Sequence, residues 1–377
     1  MIRHLRLTNV KAFAYVDLTL GRFTLLSGLN SSGKSTVLQS LGLLRQAYES
    51  HRARADGETT APGLPLNGEY VDLGTGKDVL HEEHDNQQPL IGIELETDDG
   101  AVAKIAVQYE AEADALPIIG SPFVDAAWSS PSLSLVQRGF QYLRADRINP
   151  ATTYARSYEM SARRGFLGTR GEYTIDYLRV HQDELVRDVA LQHPGAGSHR
   201  LLAQVEAWLG EVCPGVRLSA DAIDQTDLVR LGFRFSTSLG ASNARRPTNV
   251  GFGLTYVLPV IIACLTARPG ALVLLENPEA HVHPRGQSAL AQLACAAASV
   301  GAQVIVETHS DHVLNGTRLA VKDAKLDTSD VVLHYFYRPE SGGVEIASPE
   351  VGPDGMLSDW PEGFFDEWDT TLDKLLD

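Results

Sequence analysis

Two segments near the start of the chain, IRHLRLTNV and YVDLTL, alternate apolar and polar residues. That is the two-residue period of strands with one buried face, and it predicts an antiparallel pair. RFTLLSG predicts a buried strand, GLNSSGKST a loop, and TVLQSLGLLRQAYESH an amphipathic helix with Leu38, Leu41 and Leu44 on one side. From Arg52 to Leu66, Gly, Pro, Thr and Ala take over, the composition of a mobile surface loop. LIGIELETDDGAVAKIAVQYE reads as a hairpin around Asp-Asp-Gly, and FQYLRADR as a strand ending in charge. Residues 150–172 are rich in Arg, Gly and Ser. Ile175 to Val212 has helical periodicity broken at HPGAGSH, and VRLSADAIDQTDLVRLGFRFS returns to strands. A helix is expected from near Val250 through Leu265, then the strand ALVLLE and an Ala-rich helix from Pro284 that Gly301 ends. The strand AQVIVETHS, a hairpin over DVVLHYFYRPESGGVEIASPEV and a short helix in FFDEWDTTLDKLLD close the chain.

Strands alternate with helices at both ends, with a mixed α/β stretch between them. The fold class expected is α/β, divided as 1–85, 86–245 (an inserted lobe), 246–325 and a small C-terminal domain 326–377. At 377 residues, 44% hydrophobic and 21% charged, the chain can bury a substantial core. TYVLPVIIACLTA is too short to span a bilayer and contains Pro259, so it reads as a buried helix. With no apolar run behind the basic N-terminal residues, no membrane association is expected, and the expected location is cytoplasmic. Cys213, Cys264 and Cys295 are far apart and form no CxxC, which speaks for separate thiols over disulfides or zinc. The net charge of −16 argues against a surface devoted to nucleic acid. The charge is uneven, with eight Lys/Arg against three Asp/Glu from Met1 to Asp56 and one Lys against nine acids from Glu350 to Asp377. Nucleic acid therefore stays open as a local partner, beside the reading of an ordinary solvated surface.

GLNSSGKST fits G-x-x-x-x-G-K-[ST], between a buried strand and an amphipathic helix. Gly28 and Gly33 permit backbone conformations closed to other residues. The amides of Asn30, Ser31, Ser32, Gly33, Lys34 and Ser35 would turn toward a phosphate at the helix N-terminus, ahead of Thr36. In this motif Lys34 neutralises the β- and γ-phosphates and the Ser35 hydroxyl ligates Mg²⁺. The pattern marks nucleotide binding but no subclass. Downstream, LVLLENPEAHVHP ends an apolar strand on Glu276, followed by Asn277. TNVGFGLTYVLPVI places Asn249 at a cap position and Gly251 and Gly253 before a long helix. VIVETHSDHVLN ends a strand near His309.

This order resembles the ABC-type ATPases, in particular the SMC-like and OLD-like branch. YVDLGTGKDVLH, FQYLRADRINP, GFGLTYVLPVI, ENPEAHVHPRGQS and WPEGFFDEW are similar to prokaryotic AAA ATPases with a C-terminal domain of unknown function bearing W-P-x-G-F-F-D. The resemblance implies an ABC-type P-loop fold with an inserted lobe, ATP and Mg²⁺ as cofactors, and a homodimer or higher oligomer formed through ATP. Gly251, Gly253 and Asn249 of one protomer would face the nucleotide held by the partner's Lys34. Glu276 would hold the metal with Ser35, and Asn277 would stand where the catalytic glutamate stands. His309 would be the switch histidine. An amide orients water but takes no proton, so slow hydrolysis is expected. Glu279 and His281 are the nearby groups that could compensate. Glu279 could instead cap the following helix, and His281 and His283 could be structural. A separate effector protein, a nuclease among the candidates, and a role in phage defence or DNA maintenance follow from the resemblance. A non-hydrolysing ATP-bound scaffold and an ATP-gated DNA clamp are the alternatives. Arg163, Arg164 and Arg170 could touch nucleic acid or lie in a solvated loop. Trp360, Phe364, Phe365 and Trp368 could fold the tail onto the body or dock a partner.

Overall fold

The computed structural model describes residues 1–54, 63–84, 89–120, 123, 125–237, 240–340 and 342–376. The strands are β1 (Ile2–Val10), β2 (Phe13–Thr19), β3 (Phe23–Gly28), β4 (Gly63–Pro65), β5 (Leu90–Thr97), β6 (Val102–Gln108), β7 (Ala115–Pro117), β8 (Gln141–Leu143), β9 (Tyr154–Ala155), β10 (Val216–Ala222), β11 (Leu228–Thr237), β12 (Gly240–Ala241), β13 (Leu272–Glu276), β14 (Gln303–Glu307), β15 (Val331–Tyr337) and β16 (Glu345–Ala347). The α-helices are α1 (Lys34–Arg54), α2 (Gly76–Val79), α3 (Thr174–His181), α4 (Leu201–Leu209), α5 (Phe252–Leu265), α6 (Pro284–Ser299), α7 (Asp311–Lys322) and α8 (Glu367–Leu376).

The central sheet runs β16-β15-β3-β14-β13-β8, with every pairing parallel except β15–β16. Both its faces are covered, so β13 and β14 are buried at every residue, as parallel strands between layers must be. The two-residue period still sorts the side chains. Val273, Leu275, Val304 and Val306 pack with α5, α6 and α7, whereas Leu272, Leu274 and Ile305 join the core around α1 and the first sheet. That first sheet, β2-β1-β5-β6, is antiparallel throughout. A third sheet, β10-β11-β12 with β9 on β11, packs with α3 and α4 into the same core as α5.

Segment 86–245 is distributed over several sheets. β5 and β6 join the N-terminal strands, β8 is the edge of the central sheet, and β9 to β12 form the third sheet. Part of the expected loop from Arg52 to Leu66 is regular, since α1 reaches Arg54 and β4 begins at Gly63; residues 55–62 of it lie outside the described residues. Residues 159–164 form a π-helical turn inside the Arg- and Gly-rich stretch. Pro259 lies within α5, where its ring packs toward Gly171, and Leu254 through Leu265 are all buried. Among the described residues no helix is long and apolar enough to cross a membrane. Cys264 and Cys295 are buried free thiols, and Cys213 is a half-buried one.

Candidate functional site

The phosphate loop joins β3 to α1 at the end of the central sheet. Gly28 has φ 132°, and a Cβ there would lie 2.0 Å from the Phe336 carbonyl oxygen; Gly33 has φ 100°, with the Phe13 ring 2.4 Å from an added Cβ. Neither position admits a side chain. Ser31 also takes a positive φ, and its carbonyl accepts from Arg338 at 2.9 Å. The Lys34 ammonium donates to the carbonyls of Gly28 (3.0 Å) and Leu29 (2.6 Å), and the Ser32 hydroxyl donates to Leu29 (2.7 Å). Burial holds the Lys34 ammonium below its ordinary pKa, and Glu307 pulls it partly back. The loop opens onto a cleft of about 1030 Å³ lined by Lys11 to Tyr15, Asn30 to Thr36, Asn277, Glu307, His309 and Arg338.

Two carboxylates close adjacent parallel strands in register, Glu276 on β13 and Glu307 on β14. The Ser35 hydroxyl donates to Glu307 at 2.9 Å. Burial, and the charge of Glu276 next, push the Glu307 carboxyl up to about 7. Glu307 Oε2 and Asn277 Oδ1 are buried without partners. Orphaned oxygens beside Ser35 and Lys34 suit a hard, oxygen-seeking cation held together with phosphate, so these residues fit Mg²⁺ and a nucleotide. Glu276 is turned elsewhere: Oε1 accepts from the Tyr142 hydroxyl at 2.5 Å and Oε2 from the Ala145 amide at 2.9 Å. Arg147 clamps the same strand end. It donates to the carbonyls of Glu276 (2.7 Å), Asn277 (2.6 Å) and Arg144 (3.1 Å) and lies 4.4 Å over the Tyr256 ring.

Asn277 adopts φ 43°, and its amide donates to the Glu307 carbonyl at 2.8 Å. Glu279 neither caps α6 nor reaches the cleft lining. Its Oε1 accepts from the Thr308 hydroxyl (2.7 Å) and the His309 amide (3.1 Å), and burial raises its pKa. Glu279 thus holds the segment that carries His309. His309 lines the cleft; partial desolvation of its ring there, with Lys34 adding to it, lowers its pKa. His281 packs against Phe252 and Tyr256, with centroids 4.6 Å and 5.1 Å away, and its carbonyl lies 2.3 Å from a Cβ built on Gly253. It therefore joins the turn before α5 rather than the phosphate-loop cleft. His283 caps α6, accepting from the Arg285 amide at 3.4 Å. Asn249 does not cap α5: Pro247 starts a 3₁₀ turn that ends on Asn249, Val250 is extended, and the exposed Gly251 is the cap residue.

Residues 177–315 match the family described as "AAA domain, putative AbiEii toxin, Type IV TA system", and residues 326–375 match "Protein of unknown function (DUF3696)". Nothing among the curated proteins matches the sequence. In shape the chain is similar to an SMC head bound to the C-winged helix domain of ScpA, with TM-score 0.51, 14% identity, and 93% of this chain and 98% of that chain covered. The fold is similar to that of an SMC head. Two further SMC heads overlap less closely. One is from Thermotoga maritima (TM-score 0.43, 12% identity, 93% and 99% covered). The other has an extended coiled coil and is bound to the C-terminal domain of ScpA derived from Pyrococcus furiosus (0.49, 13%, 100% and 99%).

The basic residues of the Arg- and Gly-rich stretch are already paired. Arg163 meets Glu159, Arg164 meets Glu49 and Glu69, and Arg170 meets Asp146. The tail folds onto the body through Phe364, which is buried 5.2 Å from the Tyr335 ring, while the Trp368 side chain lies outside the described residues. Sequence reasoning missed Glu307, Tyr142 and Arg338. Glu307 had a signal: VIVE ends an apolar strand on an acid just as LVLLE does. Tyr142 and Arg338 act through contacts across the fold that no local pattern announces.

Proposed function

We propose that the chain is a magnesium-dependent ATPase that dimerises around ATP and switches a separate effector protein in bacterial phage defence or DNA maintenance. The observation that carries this reading is one cleft in which Lys34, Ser35, Glu307, Asn277 and His309 meet at the phosphate loop. Lys34 exchanges its loop carbonyls for the β- and γ-phosphates, and the inward amides of Asn30 to Ser35 complete the cradle. Magnesium, when bound beside Ser35, supplies positive charge against the phosphates. His309, held by Glu279, contacts the γ-phosphate or the attacking water. Asn277 orients that water without accepting its proton. General-base help is worth about 10²–10⁴-fold, so hydrolysis is slow rather than absent. Gly251 and Gly253, at the exposed N-terminus of α5, present amides to the nucleotide on the partner's Lys34. The description of the matched family as a putative AbiEii toxin of a type IV TA system supports a role in bacterial conflict. The partner carried by the SMC head of similar fold supports a separate protein partner.

Asn277 favours a second reading, an ATP-bound scaffold without turnover. Multiple-turnover hydrolysis by the wild type, with Lys34→Ala as background, together with sedimentation with and without ATP, decides between them. Turnover above background with ATP-driven dimers supports the switch. Background turnover with tightly retained ATP supports the scaffold.

A further inference from the structure

Glu276 and Glu307 occupy matched strand ends, yet only one faces the cleft. Both oxygens of Glu276 are engaged by Tyr142 and Ala145, and its carbonyl by Arg147, so the residue is committed to the segment after β8. Glu307 accepts from Ser35 at 2.9 Å, is 5% exposed, and leaves Oε2 without a donor. A buried carboxylate oxygen without a partner is costly, and a cation shared with the neighbouring hydroxyl removes that cost. Mg²⁺ keeps several waters and needs only one or two carboxylates besides the phosphates, so the pair is a sufficient protein contribution.

We propose that Ser35 and Glu307 hold the magnesium of the nucleotide, and that Glu276 is a positioning residue that fixes residues 142–147 against β13. This assignment rests on the ATP reading above. It also gives Asn277 a reason. The Asn277 amide binds the Glu307 carbonyl at 2.8 Å, so the two residues are cross-strand neighbours. A carboxylate at 277 would stand beside Glu276 and Glu307, three like charges at one buried strand end. The neutral amide keeps a carboxylate at 307 tolerable. The metal-side acid then lies on β14, one strand over from Glu276.

The test is ATP binding by the full chain, measured by calorimetry with Mg²⁺ and with EDTA, and Mn²⁺–ATP followed by electron paramagnetic resonance. The wild type gains affinity from Mg²⁺. Glu307→Gln loses at least about tenfold of that gain, the scale seen when a group supporting a metal is removed, and its Mn²⁺ spectrum changes. Its binding in EDTA stays at the wild-type level. Glu276→Gln keeps the gain. Tyr142→Phe, which removes only a donor to Glu276, keeps it too and serves if Glu276→Gln fails to fold. Loss of the gain in Glu276→Gln or Tyr142→Phe, or its survival in Glu307→Gln, overturns the assignment. ATP binding by the wild type with no gain from Mg²⁺ overturns it while leaving nucleotide binding intact. No ATP binding under either condition overturns the ATP reading and this assignment with it.

Discussion

The phosphate loop and the turn before α5 are both glycine-bearing helix N-termini, yet they are built in opposite ways. In the first, glycines with positive φ press against Phe336 and Phe13, and Lys34 and Ser32 bond to the loop's own carbonyls. In the second, Gly251 is exposed at φ −57°, an added Cβ would meet nothing within 4 Å, and no side chain caps the helix. One helix N-terminus is closed up by its own chain; the other is left open. The difference teaches that glycine at Gly33 is a steric necessity, whereas Gly251 leaves room for something that arrives.

The largest effect on nucleotide binding should come from breaking the finished side. Lys34→Ala removes the charged donor and should weaken ATP binding by about 10–100-fold, from about 1.5–3 kcal/mol for hydrogen bonds to charged groups, read by calorimetry. Next, Arg147→Ala leaves the carbonyls of Glu276, Asn277 and Arg144 without their donor. It should cost about 3–5 kcal/mol of stability in denaturant unfolding, tying the strand end that serves the cleft to α5. Gly253→Ala and Gly251→Ala divide the open side. The first forces a Cβ onto the His281 carbonyl and should cost about 1–3 kcal/mol. The second should leave the melting temperature within a degree or so, on the scale of about ±0.5 kcal/mol for surface changes, while weakening ATP-dependent dimers in sedimentation. An unchanged dimer in Gly251→Ala breaks the comparison.

The metal-free protein should also respond to pH through Glu307. Its folded pKa of about 7 lies above the ordinary 4.5, so the native state binds the extra proton. Stability is then fully present below about 4.5 and falls as pH rises toward and through 7, by up to about 2–3 kcal/mol. Urea unfolding across that window should show the fall in the wild type and lose it in Glu307→Gln. The smallest effect belongs to Arg163→Ala, an exposed partner of Glu159, which should change stability by less than about 0.5 kcal/mol.

Much of this was legible in sequence because it is local. The period of IRHLRLTNV fixes β1, and the spacing from Gly28 to Ser35 defines the loop with its flanking strand and helix. Less was legible where a neighbour distant in the chain decides where a side chain goes. Glu276 is drawn away by Tyr142 and Ala145, 134 and 131 residues earlier. Asn249 loses its cap to a turn set by Pro247, and His281 is claimed by Phe252 and Tyr256. Strand pairing, which sequence period does not report, sends β5 and β6 of segment 86–245 to one sheet and β8 to another.

The place of β3 in its sheet has a consequence during synthesis. Its two neighbours are β14 and β15, so the strand that carries the phosphate loop has residues 303–307 on one side and 331–337 on the other. Leu29 in the loop is bonded at 3.3 Å to the Phe336 carbonyl. A nascent chain has neither neighbour until residues 303–337 have left the ribosome, and pairing so distant in sequence is slow to form. A nucleotide would therefore find no finished cradle on an incomplete chain. A product truncated before β15 would lack that edge of the cradle, so ATP occupancy would report that synthesis had passed β15.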